Sequence, residues 1–313
     1  MKIAWFFPGQ GSQEIGMGKA LFEASSAARA VFEAADRALG RRISALCFEG
    51  PLEELTITYN TQPALVATSH AVLATIRERF PELPQPAYAA GHSLGEYAAL
   101  VAAGALSLED AVRLVELRGR AMQSAVPEGQ GAMVALLGAD REAALSLCEA
   151  AKGAGVVEPA NFNAPGQLVL SGDRAGIEFA TNLAAERKFK AIPLKVSAPF
   201  HCSLMAPAAR AVDAALADVK LGAFAFPVVA NVSAEPNSDP SRVRELLVRQ
   251  IDGPVLWEQS VARMVEAGVT HALEIGPGKV LANLAKRIDK RLAVLSVSDL
   301  DGIAKIPAFL APS

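Results

Sequence analysis

Ser93 stands between two glycines in "GHSLG", with His92 beside it, inside the run "AGHSLGEYAAL" (90–100). A G-x-S-x-G pattern at a strand-to-helix turn exposes a serine hydroxyl next to the backbone N–H groups that open the helix. Those are the parts needed for attack on an acyl carbon and for holding the oxyanion that follows. The plainer reading of the same letters is a glycine-flanked helix start without chemistry. A serine nucleophile needs a base, and the chain has four histidines. His70 falls in "PALVATSHAVLAT", an apolar helical segment, and reads as packed or solvated. His271 opens an expected strand. His92 adjoins the serine, but successive side chains on a sharp turn diverge, so it reads as a packing or orienting residue. His201, in "SAPFHCSLM", remains, and Ser93–His201 is the dyad that elimination leaves. No carboxylate offers itself as a third member. Asp213 and Asp218 lie in an alanine-rich helical stretch and read as solvated, so a backbone carbonyl could orient the imidazole instead.

A third candidate comes from helical periodicity. "SLEDAVRLVELRGRAMQSAV" (107–126) reads as a helix, with Ser107 and Asp110 resembling a capping box. At ~100° per residue, Leu108, Ala111, Val112, Val115 and Met122 share one face. Arg118 falls inside that apolar arc, whereas Arg113 and Arg120 fall opposite it with Glu109. A guanidinium buried without partners is very costly, so Arg118 must meet a carboxylate or a cluster of carbonyls. Either it closes an internal salt bridge or it is a clamp for a substrate carboxylate. The start "PGQGSQEIGMG" contains Gly9-Gln10-Gly11, but Glu14 occupies the third glycine position of a dinucleotide loop, and no phosphate-loop pattern occurs. A loop shaping the site near Ser93, with backbone N–H groups to offer an oxyanion, is the more economical reading.

Three strand–glycine loop–helix units must position these residues. "KIAWFF" (2–7) runs into "PGQGSQ", "AYAAG" (87–91) into "GHSLG", and "HALEI" (271–275) into "GPG". In open α/β sheets such loops gather at the carboxyl ends of the strands, where ligands bind. The middle of the chain reads differently. Strands are expected at 131–138, 156–162, 167–172 and 191–196, with helices at 141–152 and 174–188 and a turn at 163–166. That order, βαββαβ, is ferredoxin-like. The expectation is an α/β protein with an α/β-hydrolase-like core on a parallel sheet, formed by 1–126 and 198–313. A small ferredoxin-like subdomain, 127–197, is inserted in it.

Composition narrows the functional classes. With 51% hydrophobic residues, 313 residues can bury a large core, and a net charge of −3 points to no nucleic-acid partner. Cys47, Cys148 and Cys202 are too few and too scattered for a disulfide framework or a thiolate metal site, which fits a reducing, cytoplasmic setting. The apolar run before Pro8 is too short for a signal peptide. The alanine-rich run 98–106 falls well short of the ~20 apolar residues that a membrane span needs.

Taken jointly, "FPGQGSQ" (7–13), "TQPAL" (61–65), "GHSLGEY" (91–97), "RLVELRGRAMQ" (113–123), "NFNAPGQLVLSG" (161–172), "SAPFHC" (197–202), "LVRQ" (247–250) and "EIGPGKVL" (274–281) resemble the malonyl-CoA:acyl carrier protein transacylase family. They span nearly the whole chain in family order. The resemblance implies Ser93 as the acylated nucleophile and His201 as its base. It implies the backbone N–H groups of Gln10 and Leu94 as the oxyanion hole, and Arg118 as the clamp on the malonyl carboxylate. The backbone carbonyl of Gln250 would orient His201. Gln62, Asn161, Asn163 and His92 would be supporting pocket residues, and Phe200 a bulky ring disfavouring an α-methyl group. The implied substrates are malonyl-CoA and acyl carrier protein, with no metal or bound cofactor needed; separately, the sequence gives no oligomeric state, and a monomer is the expectation. The rival on the same dyad is an acyl-thioester hydrolase. Because coenzyme A and carrier protein are anionic, the basic stretches "AKRIDKR" and "ERKFK" supply candidate contacts at Lys286, Arg287, Lys188 and Lys190, although solvated faces would read the same.

Overall fold

Two kinds of strand divide the chain. Those near its ends are short, continuous apolar runs, as parallel strands covered on both faces must be; those in the middle are longer and pair locally. The computed structural model describes residues 1–196 and 198–311. Ser197, which opens "SAPFHC" and closes the 127–197 segment, lies outside the described residues, as do the last two residues of the C-terminal tail. The strands are β1 (Lys2–Phe7), β2 (Tyr88–Gly91), β3 (Gly131–Leu137), β4 (Val157–Ala164), β5 (Gln167–Asp173), β6 (Lys190–Pro193), β7 (Val228–Val229), β8 (Pro236–Asn237), β9 (Val269–Ile275) and β10 (Ala293–Val297).

The larger sheet has the order β10-β9-β1-β2-β7-β8, parallel throughout except for the β7–β8 edge pair. β1 is central and buried at every position after Lys2. Its neighbours β2 and β9 carry the other two glycine loops, so all three loops emerge side by side. The third of them backs the first: a Cβ at Gly276 would overlap the Ser69 hydroxyl and crowd Pro8. The smaller sheet, β4-β5-β3-β6, is antiparallel. Its helices, Arg141–Ala151 and Arg174–Glu186, are N-capped by Asp140 and Asp173, which accept from Ala143 N and Gly176 N at 2.8 Å each. The βαββαβ order and the α/β class are as expected.

Boundaries shift where tertiary contacts outweigh local signals. β4 continues through Asn163 to Ala164, so the expected turn at 163–166 shrinks to Pro165-Gly166. The cause is an irregular edge strand, whose pairing with β5 runs on to Ala164 opposite Gln167. Its register shifts before Asn161 and again after Phe162, and Asn161, still paired with Val169, also forms a parallel bridge with Val255 on the strand's free edge. Phe162 N donates to Val255 O at 2.9 Å and Val255 N to Ala160 O at 2.8 Å. β6 ends at Pro193 rather than 196. The tail contains two short helices, Leu300–Ala304 and Ile306–Phe309.

One face of the small sheet, with Val134, Leu136, Leu168 and Leu170, packs under its own helices. Met133, Ala160 and Val169 join the large core instead. The helix Thr58–Arg79 is buried along most of its length because it runs through the middle of that core. Among the described residues no helix is long and apolar enough to cross a membrane.

Close approach explains the glycines of the serine turn. A Cβ at Gly91 would overlap the Gly95 carbonyl, and one at Gly95 would overlap the Phe7 carbonyl. Gly153 has open space around it and needs no left-handed backbone. Gly91→Ala should therefore lower stability by about 3 kcal/mol or more, roughly 5 °C or more in Tm, while Gly153→Ala leaves Tm within about 2 °C. Thermal unfolding of the two variants checks this.

Candidate active site

β2 delivers the chain into Gly91-His92-Ser93-Leu94, and the helix Gly95–Ala102 leaves it. Ser93 holds a left-handed backbone, φ 53°, which a non-glycine residue adopts only when its surroundings impose it. The constraint is visible. Ser93 N donates to Asn231 Oδ1 at 2.7 Å, and Asn231 Nδ2 donates to Gly91 O at 2.7 Å, so one asparagine staples both ends of the turn. Leu94 N–H opens the helix, and Gln10 N–H lies in the β1 loop. Among the described residues neither amide donates a hydrogen bond to the protein, and both residues line the cavity above Ser93. Thr58 Oγ1 holds the Gln10 side chain through a 2.6 Å bond to Oε1.

His201 reaches the serine from 108 positions away in sequence. It too has a left-handed backbone, φ 60°. Its Nε2 lies 2.8 Å from Ser93 Oγ, and its Nδ1 lies 2.8 Å from the Gln250 backbone oxygen. A carbonyl can only accept, so Nδ1 carries the proton and Nε2 presents its lone pair to the hydroxyl. Among the described residues no carboxylate takes part. Burial, reinforced by the Arg118 charge, pushes the imidazole down to about 3, so it is neutral and ready to accept a proton.

Arg118 is buried on the apolar face of the helix Leu108–Ser124, which begins at the Ser107 cap. Ser107 Oγ accepts from Asp110 N at 3.0 Å and donates to Asp110 Oδ2 at 2.7 Å. Among the described residues the guanidinium makes no salt bridge. Nη1 donates to Gln62 Oε1 at 2.7 Å; Nη2 donates to Gln250 Oε1 and to Ser93 Oγ, each at 3.0 Å; Nε has no partner among the described residues. Of the two readings of this arginine, the internal salt bridge is therefore absent. A cation is held out of water by amide oxygens and aimed at the nucleophile, with an unmet need for an anion.

The cavity over these groups has a volume of about 310 Å³. Gln10, Gln62, His92, Ser93, Leu94, Arg118, Asn161, Phe200 and His201 line it together. Two expected residues stand behind the wall. Gln250 is fully buried, and Asn163 braces His92 through a 2.8 Å contact between Oδ1 and Nε2. His92 thus supports the turn and leans on the Trp257 ring. His70 is packed, its Nε2 3.0 Å from Ala98 O and its ring stacked on Phe7. Asp213 pairs with Arg244 on the surface.

None of Lys188, Lys190, Lys286 and Arg287 lines the cavity. Arg287 is committed elsewhere, donating to Gln167 Oε1 at 2.8 Å and to Pro165 O at 3.2 Å across the small hairpin. Sequence reasoning missed Asn231 and Glu96 behind the turn, and Met122, Met133, Leu194, Lys195 and Val196 in the wall. Met122 carried a helical-face signal; the others sit where only the folded chain brings them. A larger groove of about 620 Å³, near Ile3, Phe80 and Leu310, is lined by no serine, cysteine or histidine among the described residues. Among the described residues no cluster of His, Cys, Asp and Glu could hold a metal, and all three cysteines are buried and free.

The His201 ring should show no titration between pH 5 and 8 by NMR in the free protein, because its proton affinity lies far below the ordinary histidine value near 6.5. A midpoint near 6.5 would contradict the buried, Arg118-shadowed base.

The model of the acyl transferase domain family matches residues 4–301. The chain is 49% identical over 305 residues to a malonyl CoA-acyl carrier protein transacylase of Bacillus subtilis (strain 168), covering 96% of this chain and 95% of that one. It is 43% identical to the Escherichia coli (strain K12) protein of the same name, covering 97% and 98%. The crystal structure of an acyl-carrier-protein-S-malonyltransferase from Bartonella henselae superposes with a TM-score of 0.95 at 45% identity, covering 98% of this chain and 99% of that one. A malonyl-transacylase solved in complex with a type II polyketide acyl carrier protein superposes with a TM-score of 0.94 at 42% identity, covering 99% of both. With its serine turn, carbonyl-oriented histidine and buried arginine in place, the chain belongs to the acyl transferase domain family, among the malonyl-CoA:acyl carrier protein transacylases.

Proposed function

We propose that the protein transfers the malonyl group from malonyl-CoA to the phosphopantetheine thiol of acyl carrier protein through a malonyl-Ser93 intermediate. The observation that carries this reading is Arg118: a buried guanidinium without a carboxylate partner, 3.0 Å from the nucleophile. His201 Nε2 takes the Ser93 proton as Oγ attacks the thioester carbonyl. The N–H groups of Gln10 and Leu94 hold the oxyanion. The carbon–sulfur bond breaks, His201 returns the proton to the sulfur, and coenzyme A leaves as its thiol. The carrier thiol then repeats the sequence in reverse, giving up its proton to His201 and attacking the malonyl ester. Arg118 exchanges its internal contacts for the malonyl carboxylate in both half-reactions.

An acetyl group would leave the guanidinium unpaired, a mismatch that discriminates more sharply than a missing methylene. A thioester hydrolase has no use for this arginine, and nothing in the site favours water over a thiol. The chemistry runs on side chains and backbone alone and calls for no bound cofactor. Phe200, a bulky ring in the cavity lining, disfavours an α-methyl branch. One chain supplies every group of the site, in keeping with a monomer. Three free buried cysteines fit the reducing cytoplasm.

Carrier protein makes its contacts with the exposed Lys188, Lys190 and Lys286, and Lys195 lines the cavity itself. Arg287 is better read as a brace for the hairpin.

Ser93→Ala should abolish the malonyl adduct seen by mass spectrometry after incubation with malonyl-CoA. Arg118→Ala should lower kcat/KM for malonyl-CoA by on the order of 10²–10³ while changing acetyl transfer less than about tenfold. Equal losses for both acyl groups would remove the clamp. Lys190→Glu with Lys286→Glu should raise the carrier-protein KM several-fold at low salt, an effect that fades as salt screens it. An unchanged KM would place the carrier elsewhere.

A further inference from the structure

Beneath the cleft lies a carboxyl group that the transfer chemistry does not use. Glu96 occupies the first turn of the helix that follows Ser93 and is 3% exposed. Its Oε2 accepts from Gln250 Nε2 at 2.8 Å and from Asn231 N at 3.0 Å. Between them these two partners touch His201, Arg118 and the backbone of Ser93. Gln250 gives its backbone oxygen to His201 Nδ1 at 2.8 Å and its Oε1 to Arg118 at 3.0 Å, and its Nε2 also reaches Ser93 O at 2.9 Å. Asn231 holds Ser93 N at 2.7 Å.

Resting on the acyl-transfer reading of the cleft, we propose that Glu96 is a positioning residue: through Gln250 and Asn231, its buried carboxylate sets the base, the clamp and the nucleophile's turn together. The geometry explains why the acid stands one residue back. A carboxylate bonded directly to Arg118 would occupy the arms that a malonyl carboxylate needs. Placed behind Gln250, it supplies counter-charge and fixes the glutamine amide so that oxygen faces Arg118, while leaving the guanidinium available. The ionised form makes both of these hydrogen bonds charge-assisted, whereas a neutral acid or amide oxygen would accept the same two donors without that charge.

The arrangement is sensitive to protonation. Burial raises the Glu96 carboxyl to about 7, opposed by its hydrogen bonds to Asn231 and Gln250 and by the Arg118 charge. Arg118 and Tyr97 are the charged or titratable groups that couple to it. The rest of its surroundings, including Leu100, Val228, Asn237 and Leu247, carries none. Arg244, Glu245 and Arg249, on the helix that carries Gln250, are exposed on its other side. Below about pH 7 the carboxyl is protonated, and the negative charge that strengthens both hydrogen bonds and balances Arg118 is lost; above it, the charge is present, the network tightens and Ser93 becomes more reactive.

The test measures Ser93 modification by an arylsulfonyl fluoride, and separately by malonyl-CoA, from pH 5.5 to 8.5 on the full chain. The sulfonyl fluoride reads the Ser93–His201 pair without engaging the carboxylate clamp. The native protein should show a rise through about pH 7 with both reagents. Glu96→Gln, which keeps the side chain's size and its accepting oxygen, should show no rise, remaining on the order of tenfold below native at pH 8.5. Its Tm at pH 6, where the native carboxyl is also neutral, should match. A native sulfonylation profile that is flat across this range overturns the proposal even if the variant fails to fold. A Glu96→Gln profile that keeps the rise overturns it as well. Intact sulfonylation without any malonyl adduct would count against the acyl donor and leave the sulfonylation arm to decide on Glu96.

Discussion

A guanidinium taken out of water without a carboxylate beside it governs how the rest of this molecule is arranged. Arg118 can be tolerated only because amide oxygens from two separate helices converge on it, Gln62 from Thr58–Arg79 and Gln250 from Val243–Asp252. That requirement fixes three helices against one another at the carboxyl end of the parallel sheet. It also sets the character of the base. The positive charge and the dry surroundings hold His201 neutral, so the histidine draws its orientation from a carbonyl rather than a carboxylate. An Asp in that place would pair with Arg118 and cancel the charge that faces Ser93.

Gln250 is the joint between these demands. One residue gives its main chain to the base and its side chain to the clamp, the serine carbonyl and Glu96. The economy is possible because it is fully buried, where a hydrogen-bonded amide is both strong and rigid. The nucleophile's side of the site follows the same logic. Asn231 ties the serine turn to its own strand, and Gly91 and Gly95 let the turn close against β1.

Much of this was legible in sequence, for identifiable reasons. The serine turn announced itself by spacing, and the close packing of Gly91 and Gly95 is the physical content of that spacing. Arg118 was visible because a charge on an apolar helical face violates periodicity. His201 emerged by elimination among few histidines. The parallel sheet and the βαββαβ unit followed from strand patterning. Other features left no local trace. A backbone carbonyl is present at every position, so nothing but family resemblance pointed to Gln250. Asn231 lies in an irregular segment after β7, and Glu96 read as one more acidic residue near a helix start. The end of β4 was misplaced because its ladder with β5 continues to Ala164 opposite Gln167, through letters that suggest a turn, while a bridge to Val255, nearly a hundred residues away, holds its other edge at Asn161.

The bridge between Asn161 and Val255 makes the small sheet less separable than its continuous stretch of chain suggests. Val255 follows the carbonyl of Gln250 by a few residues, so the edge of the inserted unit is stitched to the segment that sets the histidine. Asn161, Met133 and the residues after β6 form one side of the acyl cavity, and the other side belongs to the parallel sheet. Exchanging the inserted unit for that of a relative, to alter which acyl group fits, would therefore cut across a shared seam. A graft that respects the architecture carries the 250–257 stretch along with the small sheet, even though the two are far apart in the chain.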